Sequence, residues 1–291
     1  MIAVTSIHVS IGEVAASLAL VAIAAAVSFW RRAQLERDLG VAVVRSFLQL
    51  TAVGYVIQAI FDSDSLWLVA LLLAVMVGFG SITARSRARA VPGSLRPIAI
   101  ALATSAVATM GLVLALGIFA PGPRYLVPFG GMVIGNAMTA AAVSLNRLAD
   151  EVRGSALRIE ATLALGATAW EASRDLVTRS LRSGMITLVD STKTTGLVFF
   201  PGTMVGMLLA GVRPLEAVRL QLIILWSLLG SVALSSVIAT GLGYRGFFTP
   251  AHQLRELEAT PEEGERPRTR RSRARAPLRR RSRLPRARAR P

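Results

Sequence analysis

Asp190 and Lys193 are the residues whose types and spacing most invite chemistry: two opposite charges, three positions apart, inside an otherwise apolar stretch. On a helix that spacing places them on one face, where they can pair. Ionisable groups within a membrane-depth segment are costly and point to substrate or coupling paths. Mutual pairing that lowers the cost of burying both is the structural alternative, and both readings stand. Arg45 and Gln49 lie one turn apart in an earlier apolar stretch. Arg45 has a stem long enough to snorkel to an interface, whereas Gln49 suits an interhelical hydrogen bond. Asn136 follows Gly131 and Gly135, and Gly202 and Gly206 follow Pro201. Small residues four apart allow helices to approach closely. Proline removes a backbone donor and kinks or breaks a helix, which membranes tolerate where the freed carbonyls face protein or a water-filled path. Asn136 and the Pro201–Gly206 segment are therefore candidates to line a pathway, with tight packing as the alternative.

Other chemistries are excluded or weakly supported. The chain has no cysteine, which removes disulfides, zinc–thiolate sites and thiol redox steps. Its two histidines, His8 and His252, are far apart in sequence and outside the apolar runs, so a histidine metal site within one chain is not expected. Met132, Met138, Met204 and Met207 would suit a soft metal, but methionine also fills irregular gaps in apolar packing. No complete metal site can be assembled, and the metal ligands are unknown. There is no Gly-rich phosphate loop ending in Lys-Ser/Thr, and Lys193, the sole lysine, is in the wrong setting for one. The chain is not expected to be an enzyme or to hold a cofactor of its own.

The elements that must position these residues are membrane spans. Of 291 residues, 53% are hydrophobic and 17% charged, well below the roughly 25% charged of a soluble domain. Apolar runs long enough to cross about 30 Å of hydrocarbon fall at Ile11–Trp30, Val41–Ile60, Leu66–Ala84, Ile98–Phe119, Tyr125–Leu145, Met185–Ala210 and Leu215–Gly241. The first has Arg31 and Arg32 behind it and no basic residue ahead, the reverse of a cleavable signal. Arginines then gather at every second connection: Arg31, Arg32 and Arg37; Arg85, Arg87, Arg89 and Arg96; Arg147 through Arg182. By the positive-inside rule these connections are cytoplasmic. The expected fold is an all-α integral membrane protein of about seven transmembrane helices, with its N-terminus outside and residues 1–258 as the polytopic transmembrane domain. A bacterial inner membrane is the expected location.

The net charge of +16 would ordinarily point to nucleic acid. Much of it lies between Arg266 and Arg290, a stretch of Arg, Pro and Ser without apolar periodicity. Residues 259–291 are expected to form a disordered cytoplasmic tail drawn to anionic membrane lipids. No nucleic-acid partner is expected.

Between the fifth and sixth spans, residues 146–184 are too polar to cross a membrane and too regular to be disordered. Apolar residues at helical spacing predict two cytoplasmic helices broken near Gly166, where glycine permits the turn. Such a short projecting helix suits a groove on a soluble partner.

Glu160-Ala161-Thr162, three residues and Gly166 resemble the EAA-x-x-x-G start of the coupling loop of ABC transporter permeases. The usual I-x-L-P ending is absent, its place taken by Leu176, Thr178 and Arg179. Further segments narrow the resemblance. Arg45-Ser-Phe-Leu-Gln-Leu before Val53-Gly54-Tyr55-Val56 resembles the iron-export permease family of the FetB type, related to the plant aluminium-sensitivity permeases. So does Pro128 through Gly131-Met-Val-Ile-Gly-Asn-Ala-Met-Thr139. The same holds for Asp190-Ser-x-Lys193-Thr-x-Gly-Leu-Val198 leading into Pro201-Gly-x-Met-x-Gly206. Ala210-Gly-x-x-Pro214-x-x-Ala217, with Gln221 beyond, is similar too. The motifs keep their order from about residue 10 to 255.

The resemblance implies a permease subunit of an ATP-driven transporter, exporting iron or another metal species. Glu160, Ala161, Gly166 and Ala167 would form the surface coupled to a separate cytoplasmic ABC ATPase that holds Mg-ATP, with two copies of each subunit. Gln221 joins Arg45, Gln49, Asn136, Asp190, Lys193, Pro201, Gly202 and Gly206 as a pathway candidate. Two alternatives remain open: a permease of a binding-protein-dependent importer, and a non-transporting membrane adaptor.

Overall fold

The computed structural model describes residues 10–32 and 34–255; His8 and the expected basic tail, 259–291, lie outside the described residues. Ser10 accepts at its hydroxyl from the Glu13 amide, and the Glu13 carboxylate accepts from the Ser10 amide. This reciprocal cap satisfies two orphan donors and starts α1 (Ile11–Arg31). There follow α2 (Glu36–Ser63), α3 (Leu66–Arg87), α4 (Leu95–Ala115), α5 (Pro123–Gly154), α6 (Ala156–Ala164), α7 (Ala169–Thr194), α8 (Gly202–Leu209) and α9 (Pro214–Gly243). A 3-10 turn, Tyr244–Phe247, closes the series. Proline occupies the start of α5 and α9, where its missing amide would have no helical partner anyway.

Six of these helices, α1 to α5 and α9, are long and apolar enough to cross a membrane, among the described residues. The span expected at Met185–Ala210 is not one helix. Its first part continues α7, which starts at Ala169 and carries Arg174, Asp175, Arg179 and Arg182 along its early turns. The helix ends at Thr194, residues 195–201 are irregular, and α8 is a separate short element. Gly196 has φ +83°, its amide donates to the Phe199 carbonyl at 2.9 Å, and Pro201 caps α8 in extended conformation. A left-handed glycine followed by a proline ends one helix and starts another. The fifth span also differs: α5 runs on to Gly154, nine residues past the expected Leu145.

Contacts between helices fix their directions. Ser231 and Ser235 of α9 donate to the Val133 and Ala137 carbonyls of α5, at 3.5 and 3.0 Å. Both residue numbers rise together, so α9 runs parallel to α5. Gly184 of α7 lies against Ser144 and Ala140 of α5, while Arg179 reaches Glu151; α7 is antiparallel. Gly130 of α5 meets Leu73 of α3 and Met110 of α4, and Gly80 of α3 meets Leu102 and Ile134. Hence α3 parallels α5 and α4 opposes it. The core lies among α3, α4, α5, α7 and α9, with Ile98, Leu102, Val133, Leu145, Leu148 and Leu176 fully buried. By contrast α1 and α2 pack lightly and leave Leu20, Phe47, Leu50 and Tyr55 exposed.

Small polar residues fill the seams of that core. Ser144, Ser173, Ser180, Ser231, Ser235, Ser236 and Thr240 are all fully buried. Hydroxyls this short let two helix backbones approach and can bond a carbonyl of their own or the next helix. Ser173, Ser180 and Thr240 take the first course, donating to the carbonyl one turn back.

Candidate coupling surface and helix break

Thr168 caps α7 by accepting from the Glu171 amide at 3.3 Å, while the Glu171 carboxylate takes the Thr168 amide and hydroxyl at 2.8 Å each. These hydrogen bonds, the backbone one first, hold the Glu171 carboxyl below its ordinary range. The cap sits at an elbow. Gly166, at φ +90°, follows the end of α6 and turns the chain into α7, a conformation that side chains rarely adopt. Ala167 is half-buried in the turn, and Glu160 and Ala161 are exposed on α6.

α6 has one anchored side and one open side. Ile159 is buried, and Leu163 packs against the same core. The opposite side presents Leu157, 83% exposed, then Ala161, Ala164 and Leu165, 90% exposed. Offsets of four, seven and eight from Leu157 put these apolar residues on one helical stripe. Polar neighbours border it: Glu160 is exposed beside it, and Arg158 reaches Asp175 of α7 at 3.7 Å.

The elbow is braced from two sides. Glu151, in the last turns of α5, receives Arg147 Nη2 at 2.6 Å and Arg179 Nε at 2.9 Å, with its side chain only 13% exposed. From the other side, the segment after α9 folds back: His252 Nδ1 accepts from the Ala169 amide at 3.3 Å, and the Trp170 ring tilts on Tyr244, centroids 5.3 Å apart. Sequence reasoning missed both braces. The helical spacing of Glu151 from Arg147 is visible in the sequence, but Arg179 and His252 meet their partners only through the fold.

At the other end of α7, Lys193 Nζ meets Asp190 Oδ1 at 3.2 Å, and both side chains are more than half exposed. Beyond them the irregular segment exposes Leu197, Val198, Phe199 and Phe200. α8 packs on α9, where Thr203 donates to Gln221 Oε1 at 2.5 Å. Gln221 is 5% exposed, so this bond satisfies a buried amide oxygen at the N-terminal end of α9. Thr203 was not singled out by its type or spacing.

The remaining pathway candidates are dispersed. Asn136 is half-buried and donates to Met132 O one turn back, at 2.8 Å. Arg45 and Gln49 are exposed on α2, away from the α7–α8 break. The expected close packing at small residues falls only partly on the expected glycines. A Cβ on Gly135, Gly202 or Gly206 would meet nothing within 4 Å, while one on Gly131 would come within 3.3 Å of the Met76 methyl. The close approaches are at Gly130 against Leu73, Gly184 against Ser144, and Gly243 against Leu145. Among the described residues no three His, Asp or Glu side chains gather as a metal site.

Comparison with known proteins decides the family. Residues 11–248 match the model described as "Uncharacterised protein family (UPF0014)". The chain belongs to that family. It is 39% identical to the UPF0014 membrane protein STAR2 of Oryza sativa subsp. japonica, over 83% of this chain and 85% of that one. It is 37% identical to the protein ALUMINUM SENSITIVE 3 of Arabidopsis thaliana, over 82% and 88%. The probable iron export permease protein FetB of Escherichia coli (strain K12) is 34% identical, over 83% and 93%. No solved structure matches. Six apolar helices and membrane-protein relatives together make this UPF0014 chain a multi-pass membrane protein.

Proposed function

We propose that this chain is the membrane-spanning permease subunit of an ABC-type transporter that exports iron or another metal species across the bacterial inner membrane. The observation that carries the reading is the continuity of α7. One unbroken helix of 26 residues joins the exposed α6–Gly166 elbow to the Asp190–Lys193 pair and the break at 195–201. At about 1.5 Å per residue it is a rod of roughly 39 Å. A push on one end is delivered at the other.

The apolar stripe of α6 gives the push a place to act. Leu157, Ala161, Ala164 and Leu165 expose their side chains to water on the side that the arginine distribution makes cytoplasmic. A short amphipathic helix of this kind seats in a hydrophobic groove. Its occupant is a separate ATPase subunit that binds Mg-ATP, since this chain carries no phosphate loop. One relative, named a probable iron export permease protein, supports the same role.

The other end of α7 supports a dimer of permease subunits. Irregular backbone cannot face lipid, because its unpaired N–H and C=O groups find no water there. The 195–200 segment and the open faces of Gly202 and Gly206 are covered when a second copy packs against them. The break then lines a path between two copies. ATP-driven closure of the ATPase pair moves both α7 rods and alternates access to that path.

Co-purification tests the reading. The tagged chain should recover a span-free ATPase encoded beside it, and Leu157→Glu combined with Leu165→Glu should abolish recovery without loss of membrane insertion. Equal recovery by that variant would refute α6 as the coupling surface.

A further inference from the structure

A cavity of about 530 Å³ opens between the start of α4 and the segment that follows α9. Its walls bring together Arg96, Arg245 and Arg255 with Pro97, Ile100 and Leu242. None of the three arginines has an acidic partner among the described residues. Arg255 is held in place by donating from Nε to the Phe248 carbonyl at 3.1 Å, and its amide donates to the Phe247 carbonyl at 2.8 Å. No carboxylate among the described residues lines the cavity.

Two further features add positive potential. α4 begins at Leu95 with no side-chain cap, because the Ser94 hydroxyl turns instead toward the Ala88 carbonyl at 3.5 Å. The positive end of the dipole of this 21-residue helix, without a side-chain cap, therefore lies beside the cavity that Arg96 and Pro97 line. The cavity is also tightly constructed at its base: a Cβ on Gly246 would strike the Pro92 carbonyl, so the 3-10 turn lies directly on the loop before α4.

The vertical arrangement of the walls discriminates among anions. Ile100 is one turn beyond Arg96 along α4, and Leu242 one turn before Arg245 on the path of α9. Charge thus lies at the rim and apolar surface one turn deeper toward the hydrocarbon. Ile100 is exposed there. A free phosphate would leave this apolar wall uncovered. A molecule with an anionic phosphodiester and attached acyl chains covers both.

We propose that this cavity is a binding site for the phosphodiester headgroup of an anionic phospholipid of the cytoplasmic leaflet. Basic pockets between helices at that surface select such headgroups, and the volume falls within the roughly 300–1,000 Å³ of small-ligand pockets. The site has a mechanical position as well. Arg245 directly follows Tyr244 and Arg255 lies three residues after His252, the two residues that brace the head of α7, so an occupied site clamps α4 to the elbow support.

The test uses the full chain, purified in mild detergent and titrated by native mass spectrometry with phosphatidylglycerol, phosphatidylcholine or inorganic phosphate. Phosphatidylglycerol should bind at least about tenfold more tightly than phosphatidylcholine, with a loss of about fivefold for each arginine replaced by glutamine. Arg96→Lys with Arg245→Lys and Arg255→Lys should retain the preference. If the triple glutamine variant is not recovered folded, the three single variants carry the same test. Unchanged lipid preference in the glutamine variants would overturn the proposal. So would an equal loss on changing Arg85, Arg87 and Arg89, which carry charge to the same side outside the cavity. Binding of inorganic phosphate in the absence of any phosphatidylglycerol binding would overturn the lipid assignment.

Discussion

Arg179 of α7 donates from Nε to Glu151 of α5 at 2.9 Å, across the base of the helix pair that carries the elbow. Arg147 approaches the same carboxylate at 2.6 Å. Two guanidiniums thus share one largely buried acid, and the sharing fixes how α7 leans on α5. Glu151→Gln should cost about 1.5–3 kcal/mol locally, the range for hydrogen bonds to charged groups. Hydrogen exchange should quicken in the first half of α7 and leave the α5–α9 seam unchanged. Uniform acceleration across the bundle would mean that Glu151 supports the whole fold rather than the elbow.

Gly184 offers a sharper packing test. A Cβ there would overlap the Ser144 hydroxyl and stand 2.8 Å from the Ala140 carbonyl and 2.9 Å from Ser236 Oγ. Backbone does not yield as a flexible side chain does, so Gly184→Ala should destabilise by about 1–3 kcal/mol. Gly135→Ala, with open space around it, should leave the melting temperature of the monomeric chain in detergent unchanged or higher. Equal effects from the two would contradict this placement of α7 against α5.

The Thr168–Glu171 cap carries a pH dependence with a definite sign. The Glu171 carboxyl lies below its ordinary value when folded, chiefly through the Thr168 backbone amide and then its hydroxyl. Its contribution is therefore complete above the ordinary carboxylate range and is lost as pH falls through the lowered folded value. Amide exchange in the first turn of α7, corrected for intrinsic rates, should lose protection at acid pH. Glu171→Gln should remove that pH dependence; its persistence would assign the effect to another group.

Thr203 and Gln221 join α8 to α9 by a side-chain bond of 2.5 Å. Thr203→Val strands the buried Gln221 oxygen and should destabilise by about 1–3 kcal/mol. Adding Gln221→Leu should recover part of that loss, since removing both partners relieves the stranded group. Thermal unfolding of the single and double variants measures the coupling; strictly additive losses would show that the bond contributes nothing.

Six of the seven expected spans were legible in the sequence because the hydrocarbon core demands long uncharged runs. The elbow was legible too, since Gly166 interrupts an otherwise helical pattern. What was hidden depends on pairs distant in sequence. Charges from Arg174 to Arg182 made the first half of α7 look separate from the apolar Met185 onward, yet both belong to one helix. Gly131 and Gly135 formed the visible small-residue motif, while Gly130, one step round the helix, makes the tightest contact of α5. Ser231 and Ser235 lie one turn apart, but nothing local shows that their acceptors are Val133 and Ala137. Residue type singled out Arg45, Gln49 and Asn136 as pathway candidates, and the fold places them on two different helices, α2 and α5.

In the proposed function, α7 transmits the work of a partner ATPase to a metal path at its far end. Cellular iron and manganese under metal load, compared between cells with and without this chain and its ATPase, test that transmission. Metal content should rise when the pair is deleted, and should be restored by the native chain and not by the Leu157→Glu, Leu165→Glu variant. Unchanged metal content on deletion of both subunits would contradict it.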